Sequence, residues 1–191
     1  VIHAGTLLDR PGRAPRRNAT ILVRGGRIEA VQDGFTPPPA GARLIDLSDR
    51  FVLPGLIDSH VHLTSDRAGV EGVLAEVTDS VPLRAFETAW NARKTLDAGF
   101  TTVRNLGSED GVTLALRDAI ARGWAVGPRI VDAGTALSTT TGHMDPTLGM
   151  REEFHDALLA SGSTCDGAND CRRAVRRQIA RGADVIKIAT T

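Results

Sequence analysis

The chain has 191 residues, of which 41% are hydrophobic and 24% are charged, and its 23 basic and 23 acidic residues cancel to a formal charge of zero. This composition is that of a globular protein with enough apolar material for a sizeable core. A balanced charge gives no reason to expect a nucleic acid or a membrane surface as a partner. No apolar run reaches the roughly 18 residues that a membrane span requires.

The first fifty residues predict a small β module. The strand-like segment 21–24 is followed by Gly25 and Gly26, which are a hairpin signal, and then by the alternating segment 27–31. A proline-rich loop and one more short strand follow before residue 50. Because no helical periodicity appears in this stretch, we treat residues 1–50 as a separate all-β region.

From residue 51 onward, predicted strands alternate with predicted helices. The predicted helices are 80–98, 113–122 and 170–181, and the strands that follow them are 101–106, 129–133 and 183–188. This order predicts a parallel sheet with right-handed crossovers, and four strands fit when the one containing His60 is counted. A closed eight-stranded barrel takes about 250 residues. The fold predicted for residues 51–191 is therefore α/β, the first four β/α units of a (β/α)8 TIM barrel.

Two histidines stand two residues apart in the apolar run 51–63. In a strand, side chains at this spacing share a face, so the imidazoles of His60 and His62 would project together, roughly 7 Å apart at the backbone. Imidazole is a ligand that suits zinc and neighbouring metals. Asp58 shares the same face and could hydrogen-bond a ligand imidazole. The pair predicts half of a metal site, with two satisfied core histidines as the alternative.

Lys187 lies in a predicted strand whose other residues are apolar on both faces. A lysine in such a place must give up the water around its ammonium group, which favours the neutral, nucleophilic amine. That amine can take up carbon dioxide to form a carbamate, an anionic ligand whose two oxygens can bridge two metal ions. The alternative is a lysine that extends from a frayed strand end into solvent, and the sequence leaves both open.

A long stretch, from Gly134 to Asn169, follows a predicted strand end, where loops are commonly functional. Within it, His143 could donate a hydrogen bond to a substrate carboxylate or carbonyl. Ser65, just beyond the histidine pair, could also face the site. The alternatives are a loop histidine in solvent and a serine that belongs to a turn.

The two cysteines, Cys165 and Cys171, are separated by a short loop containing Gly167. They could close a disulfide, which would favour an oxidising compartment such as the periplasm or the cell exterior. The alternative is two free thiols at the start of a helix, as expected in the cytoplasm. The sequence leaves the localisation open.

Taken together, these residues resemble the amidohydrolase superfamily of metal-dependent hydrolases. The matching stretches are VLPGLIDSHVH at 52–62, AGFTTV at 98–103, TGHMD at 141–145 and GADVIK at 182–187. The branch that the chain resembles holds imidazolonepropionase-like sequences, Xaa-Pro and related dipeptidases, and ochratoxin-hydrolysing amidohydrolases. The resemblance covers nearly the whole chain, and its first and last motifs are specific in combination.

The resemblance implies roles for the candidate residues. His60 and His62 would bind the more buried of two divalent metal ions, for which zinc is expected, and a carboxylated Lys187 would bridge the two ions. His143 would help to hold the substrate's carboxylate, with Ser65 as a second substrate-binding candidate. Residues 1–50 would be the N-terminal part of a small β-sandwich domain.

The family's remaining ligands are two histidines and an aspartate from later strands, and the sequence ends before all three. We therefore expect the chain to be one segment of a longer polypeptide, inactive by itself, whose remainder would complete the barrel and the β-sandwich. A homo-oligomer is also expected.

The function implied is hydrolysis, by a metal-bridging hydroxide, of an amide or peptide bond next to a carboxylate. The expected substrates are dipeptides, N-acyl amino acids and ochratoxin-like amides. One alternative is hydrolysis of a cyclic amide at a single metal ion, as in imidazolonepropionase. The other is a barrel that serves as a non-catalytic scaffold.

Overall fold

A computed structural model of the chain describes residues 1–67, 69–108 and 110–191, and of Glu76 only the main chain. The chain divides into two compact units, Val1–Gly55 and Leu56–Thr191. None of the helices among these described residues is long and apolar enough to cross a membrane.

The first unit is built on one four-stranded sheet. Its strands are β1 (Ile2–Leu7), β2 (Arg16–Arg24), β3 (Arg27–Asp33) and β4 (Ile45–Val52). The order in the sheet is β3-β2-β1-β4, with β1 antiparallel to β2 and parallel to β4. The predicted hairpin is confirmed, since Gly25 and Gly26 join β2 to β3 with φ angles of 57° and 76°. The predicted β-sandwich is represented in the described residues of this unit by a single sheet.

The second unit is a mixed α/β structure. Its elements are β5 (Leu56–Val61), α1 (Gly69–Thr78), α2 (Val81–Asp97), β6 (Phe100–Asn105), α3 (Val112–Ala121), β7 (Arg129–Asp132), α4 (His155–Leu159) and α5 (Gly167–Ala180). A 3-10 turn, Glu152–Phe154, precedes α4. Strands β5, β6 and β7 form a parallel sheet in that order. The predicted alternation of helices and parallel strands is confirmed for these three strands, while closure into an eight-stranded barrel stays a prediction.

Helices α2 and α3 pack on one face of the parallel sheet. The buried residues of this core are Leu63, Ala92, Val103, Leu116 and Ile130. Helix α2 begins where the sequence predicts, because the Ser80 hydroxyl accepts a hydrogen bond from the Leu83 amide and Pro82 stands in the first turn. It ends at Asp97, and Gly99, two residues later, leaves the helical path with a φ of 99°. Local capping signals therefore fix the helix that covers the first two strands.

The apolar run 51–63 is divided between two strands in the structure. Phe51 and Val52 are the last residues of β4, which pairs with β1 in the first unit. A new strand, β5, starts at Leu56. Pro54 and Gly55 separate the two strands, because proline lacks an amide donor and restricts the residue before it.

The predicted fourth strand at 183–188 is also wrong as a regular strand. Among the described residues, this segment makes one β-bridge, between Leu137 and Ile188, and the Asp132 carbonyl accepts hydrogen bonds from the amides of Asp184 and Val185. Strand β7 ends at Asp132, and Gly134 then turns the chain with a φ of 62°, so no straight partner continues the ladder.

The two cysteines form a disulfide, which decides between the alternatives that the sequence left open. Cys165 is buried against Leu137 and Ala174. The disulfide joins the segment before α5 to the second turn of that helix. The Cys165 amide also donates to the Ser138 carbonyl. The disulfide thus anchors part of the long connection that follows β7.

Candidate metal centre

His60 and His62 stand side by side at the carboxyl end of β5. Val61 and Leu63 pack into the core beneath α2 and α3, so the alternation of a strand turns the two histidines to the opposite face. Their ring centroids lie 5.5 Å apart, the rings are tilted by 54°, and both residues are exposed. The structure therefore presents two imidazoles together, as expected from their spacing.

The His62 ring is oriented by the loop that follows the neighbouring strand. Its Nδ1 lies 3.2 Å from the Gly107 carbonyl oxygen. A proton on Nδ1 would be donated to this oxygen and would leave Nε2 free as a metal ligand. Gly107 has a φ of 146°, and a Cβ there would stand 3.4 Å from the His62 ring. Only glycine suits this position, and sequence analysis did not single it out.

Asp58 contacts the main chain of the histidine pair. Its Oδ1 accepts a hydrogen bond of 2.9 Å from the His60 amide. The carboxylate therefore fixes the backbone of His60 in this structure, and its contact with a ligand imidazole stays a prediction.

Lys187 lines a cavity of about 360 Å³. The other lining residues are Arg104, Leu106, Val185, Ile186 and Ile188. Lys187 is partly buried, and its carbonyl accepts a hydrogen bond of 2.9 Å from the Leu137 amide. The second cation of the cavity, Arg104, is held by a bond from its Nε to the Ser59 carbonyl at 2.8 Å. Lys187 and Arg104 therefore share one cavity, and carboxylation of Lys187 stays a prediction.

A second cavity, of about 290 Å³, lies where His62 meets the loops after β5, β6 and β7. Its polar lining includes two arginines, Arg67 and Arg84, together with Ser65, Ser108, Thr135 and Ser163. The Ser65 hydroxyl accepts a hydrogen bond from the Arg67 amide, so this serine belongs to a turn and also faces the cavity. The turn is observed, and a role of Ser65 in substrate binding stays a prediction.

The two arginines of the second cavity differ in how they are paired. Arg67 donates to Glu87 and to Asp79, and these hydrogen bonds raise its pKa. Arg84 has 12% of its side chain exposed, and among the described residues its ion-pair partner is Asp110, at 2.9 Å. Arg67 therefore ties the turn after β5 to the helices, whereas Arg84 is the cation with donor capacity left for a ligand.

His143 lies in the connection after β7, in a loop that is stabilised by the buried carboxylate of Asp145. Asp145 accepts hydrogen bonds from the Thr141 amide at 2.7 Å and from the Thr147 amide and hydroxyl at 2.9 and 2.7 Å. These bonds, the Thr147 hydroxyl first, lower the pKa of Asp145. The His143 side chain is exposed, and its neighbour Met144 lines the second cavity. The loop thus reaches the site, although the imidazole itself is not part of the cavity wall.

The side chains present fit part of a metal site. The donor set of His60 and His62 suits zinc-like ions. Within residues 1–67, 69–108 and 110–191, no group of three or more His, Cys, Asp or Glu side chains is arranged to hold a metal ion. The described residues therefore supply two imidazole donors, to which other ligands must be added.

Comparison with known proteins gives a consistent result. The model of the amidohydrolase family matches residues 51–191. Ochratoxinase from Aspergillus niger is 32% identical over 204 residues, which cover 98% of this chain and 41% of ochratoxinase. The structure of a Xaa-Pro dipeptidase with bound methionine in its active site matches with a TM-score of 0.89 and 36% identity, over 98% of this chain and 46% of the dipeptidase.

A third similarity is local. Imidazolonepropionase from Salinispora arenicola is 49% identical over 55 residues, which cover 28% of this chain and 14% of that enzyme. The present chain spans less than half the length of the ochratoxinase and of the dipeptidase.

Proposed function

The chain belongs to the amidohydrolase family, and we propose that the full-length protein that contains it hydrolyses an amide or peptide bond next to a carboxylate. The observation that carries this proposal is the paired presentation of His60 and His62 at the end of β5, beside a polar cavity that contains Arg84. The similarity to ochratoxinase and to a Xaa-Pro dipeptidase holding methionine supports a substrate with an amino-acid carboxylate.

His60, His62 and a carboxylated Lys187 would hold two divalent metal ions, zinc being the expected metal. Metal ions held there would lower the pKa of a bound water and polarise the scissile carbonyl. The Gly107 carbonyl keeps the His62 ring in one orientation, and Asp58 fixes the backbone of its neighbour. These contacts prepare the two imidazoles before any ligand arrives.

Arg104 supports the proposed modification of Lys187. It lines the same cavity, and its Nε–H is engaged by the Ser59 carbonyl while the rest of the guanidinium remains available. A guanidinium beside a carbamate would stabilise the negative charge of the carbamate.

Substrate orientation is assigned to the second cavity. Arg84 would bind the substrate carboxylate, since a guanidinium matches the geometry of a carboxylate. Ser65 can donate its hydroxyl proton while its oxygen accepts from the turn. His143 would approach from the loop whose next residue, Met144, already lines the cavity.

The proposal is tested on the full-length protein with matched substrates. Dipeptides, N-acyl amino acids and ochratoxin A would be compared with the same amides carrying a terminal carboxamide in place of the carboxylate. We expect the carboxylates to be hydrolysed with a kcat/KM at least about 10-fold higher. Arg84→Leu should remove that preference mainly through KM. Hydrolysis of neither set in the presence of zinc would refute the proposal and would favour a non-catalytic scaffold.

The role of Lys187 has a separate test and a matched control. Lys187→Ala should reduce the metal content from near two to near one per chain and lower kcat by more than about 100-fold. Lys94→Ala removes the other lysine of the chain, which pairs with Asp66 on the surface, and should leave both quantities unchanged. Full metal content and activity in Lys187→Ala would contradict the bridging role.

Cyclic-amide hydrolysis at one metal ion is a second candidate. The local similarity to imidazolonepropionase favours it. A metal content near one in the wild-type protein, with turnover confined to cyclic amides, would decide for this candidate.

A further inference from the structure

Helix α2 carries three large apolar side chains on its outer face. Leu83, Phe86 and Trp90 are 52%, 76% and 64% exposed. Their spacing of three and four residues puts them in one stripe along the helix. We call these three residues the outer stripe. Together they form an exposed apolar ridge rather than isolated surface residues.

The outer stripe lies opposite the face that packs on the sheet. Thr88, Asn91 and Ala92 are the buried residues of α2, and Ala92 belongs to the same buried cluster as Val103 and Ile130. Asn91 donates to the Leu63 carbonyl at the end of the strand with the histidine pair. The inner face of α2 is therefore buried and hydrogen-bonded against the sheet, whereas the outer stripe is left in solvent.

If the full-length protein completes the predicted barrel, its further strands and helices would not cover this stripe. In an α/β barrel, further strands extend the sheet sideways, and further helices lie beside the existing ones in the same ring. Neither addition reaches the side of a helix that points away from the sheet. A partner that covers the stripe must bind from the solvent side of α2, and a second copy of the protein would bind from that side.

The size of the stripe fits the centre of a protein interface. Two aromatic side chains and a leucine with these exposures offer on the order of 400 Å² of apolar surface. A standard interface buries about 800 Å² on each partner, and somewhat more than half of that is apolar. Large aromatic residues are also the side chains that most often dominate binding.

The charges that flank the stripe are neutralised within the chain. Lys94 pairs with Asp66 at 2.7 Å, and Arg93 pairs with Asp97 at 2.8 Å. A second α2 would therefore meet an apolar ridge with a balanced polar rim, without repulsion between like charges.

We propose that α2 of one copy packs antiparallel on α2 of a second copy, about a two-fold axis that passes near Phe86. In this arrangement, Leu83 of each copy contacts Trp90 of the other, because the stripe is self-complementary when reversed. The two polypeptides associate through the backs of the helices that support their histidine pairs.

The test uses the full-length protein and analytical ultracentrifugation. Phe86→Glu and Trp90→Glu should each weaken self-association by about 30-fold or more. Trp124→Glu is the matched control, since Trp124 is 74% exposed outside α2, and it should leave the association constant unchanged. Unchanged association of the α2 variants would overturn the proposal. A lower thermal stability at constant mass would show that the stripe is covered within one polypeptide.

A second measurement holds even if the glutamate variants fail to fold. Phe86→Cys should give a covalent dimer with a short bismaleimide cross-linker, because the two thiols would face each other across the axis. Trp124→Cys should remain monomeric under the same treatment. Equal cross-linking of the two variants, or none in either, would overturn the proposed arrangement.

Discussion

The sheet β5-β6-β7 and the connection that follows β7 hold their candidate site residues by different forces. In the sheet region, His60 and His62 lie at the end of β5. The sheet is held by a buried core that includes Val103, Ile130 and Ala92. In the later region, His143 and Lys187 lie in segments held by single β-bridges, side-chain hydrogen bonds and a disulfide.

The candidate residues of the sheet region are held by apolar packing, whereas those of the later region are held by directional contacts and a disulfide. Apolar burial is non-directional and stabilises the sheet region as a whole, so no single polar contact decides the position of the histidine pair. The later region depends on a few directional contacts, of which the disulfide responds to redox state and the Asp145 carboxylate responds to pH. We therefore expect the two regions to lose their structure under different conditions.

The largest effect is expected from a cavity in the core of the sheet region. Ile130→Ala removes a side chain that is 4% exposed beneath α2 and α3, and it should lower the free energy of unfolding by about 3 kcal/mol. Val131→Ala, which alters the opposite face of the same strand, should cost less. Urea unfolding of the full-length protein measures both, and equal losses would contradict the assignment of the core to the helix side.

Loss of the disulfide should have a smaller and more local effect. The double variant Cys165→Ala with Cys171→Ala should lose about 2 kcal/mol, because a short loop is no longer closed in the unfolded state. Amide exchange should accelerate from residue 161 to the first turns of α5 and stay unchanged in β5 and β6. Reduction of the wild type should reproduce this pattern. Faster exchange throughout the sheet would remove the distinction between the two regions.

The smallest effect is expected at Asp145, whose carboxylate accepts hydrogen bonds within the loop that contains His143. Its pKa is lowered by the hydroxyl and amide of Thr147 and by the Thr141 amide. The carboxylate therefore stabilises the loop fully above the pKa of an unfolded aspartate, about 3.9, and this contribution is lost as the pH falls through the lower folded-state value.

Asp145→Asn should cost about 1 kcal/mol at neutral pH and should remove this acid sensitivity. Amide exchange of Thr141 and Thr147, compared at pH 6 and pH 3, measures the effect. An equal acid response in the wild type and the variant would mean that another group holds the loop.

Sequence patterns were sufficient wherever a local signal determines the structure. The Ser80 cap predicted α2, and the glycine pair at 25–26 predicted the β2–β3 hairpin. The i, i+2 spacing of His60 and His62 predicted their shared face, because the strand period depends on the backbone alone. Helix α1 was not predicted, since its mixed apolar sequence carries no comparable cap signal.

Other features needed the contacts between distant segments. The sequence could not show that Gly107 orients His62, that Arg104 shares a cavity with Lys187, or that Arg84 lines the second cavity. Each of these pairs joins residues far apart along the chain. The strand expected at 183–188 did not form as a regular strand for the same kind of reason, because its partner turns away after β7.

The sequence by itself determined the alternation of helices and strands, the paired histidines and the family resemblance, because these depend on residue type at short spacing. The tertiary structure decided which loops meet at the histidine pair, that the two cysteines are joined, and which face of α2 remains apolar and exposed. These outcomes depend on how separate elements pack, and packing is set by shape and burial across the whole unit rather than by any local pattern.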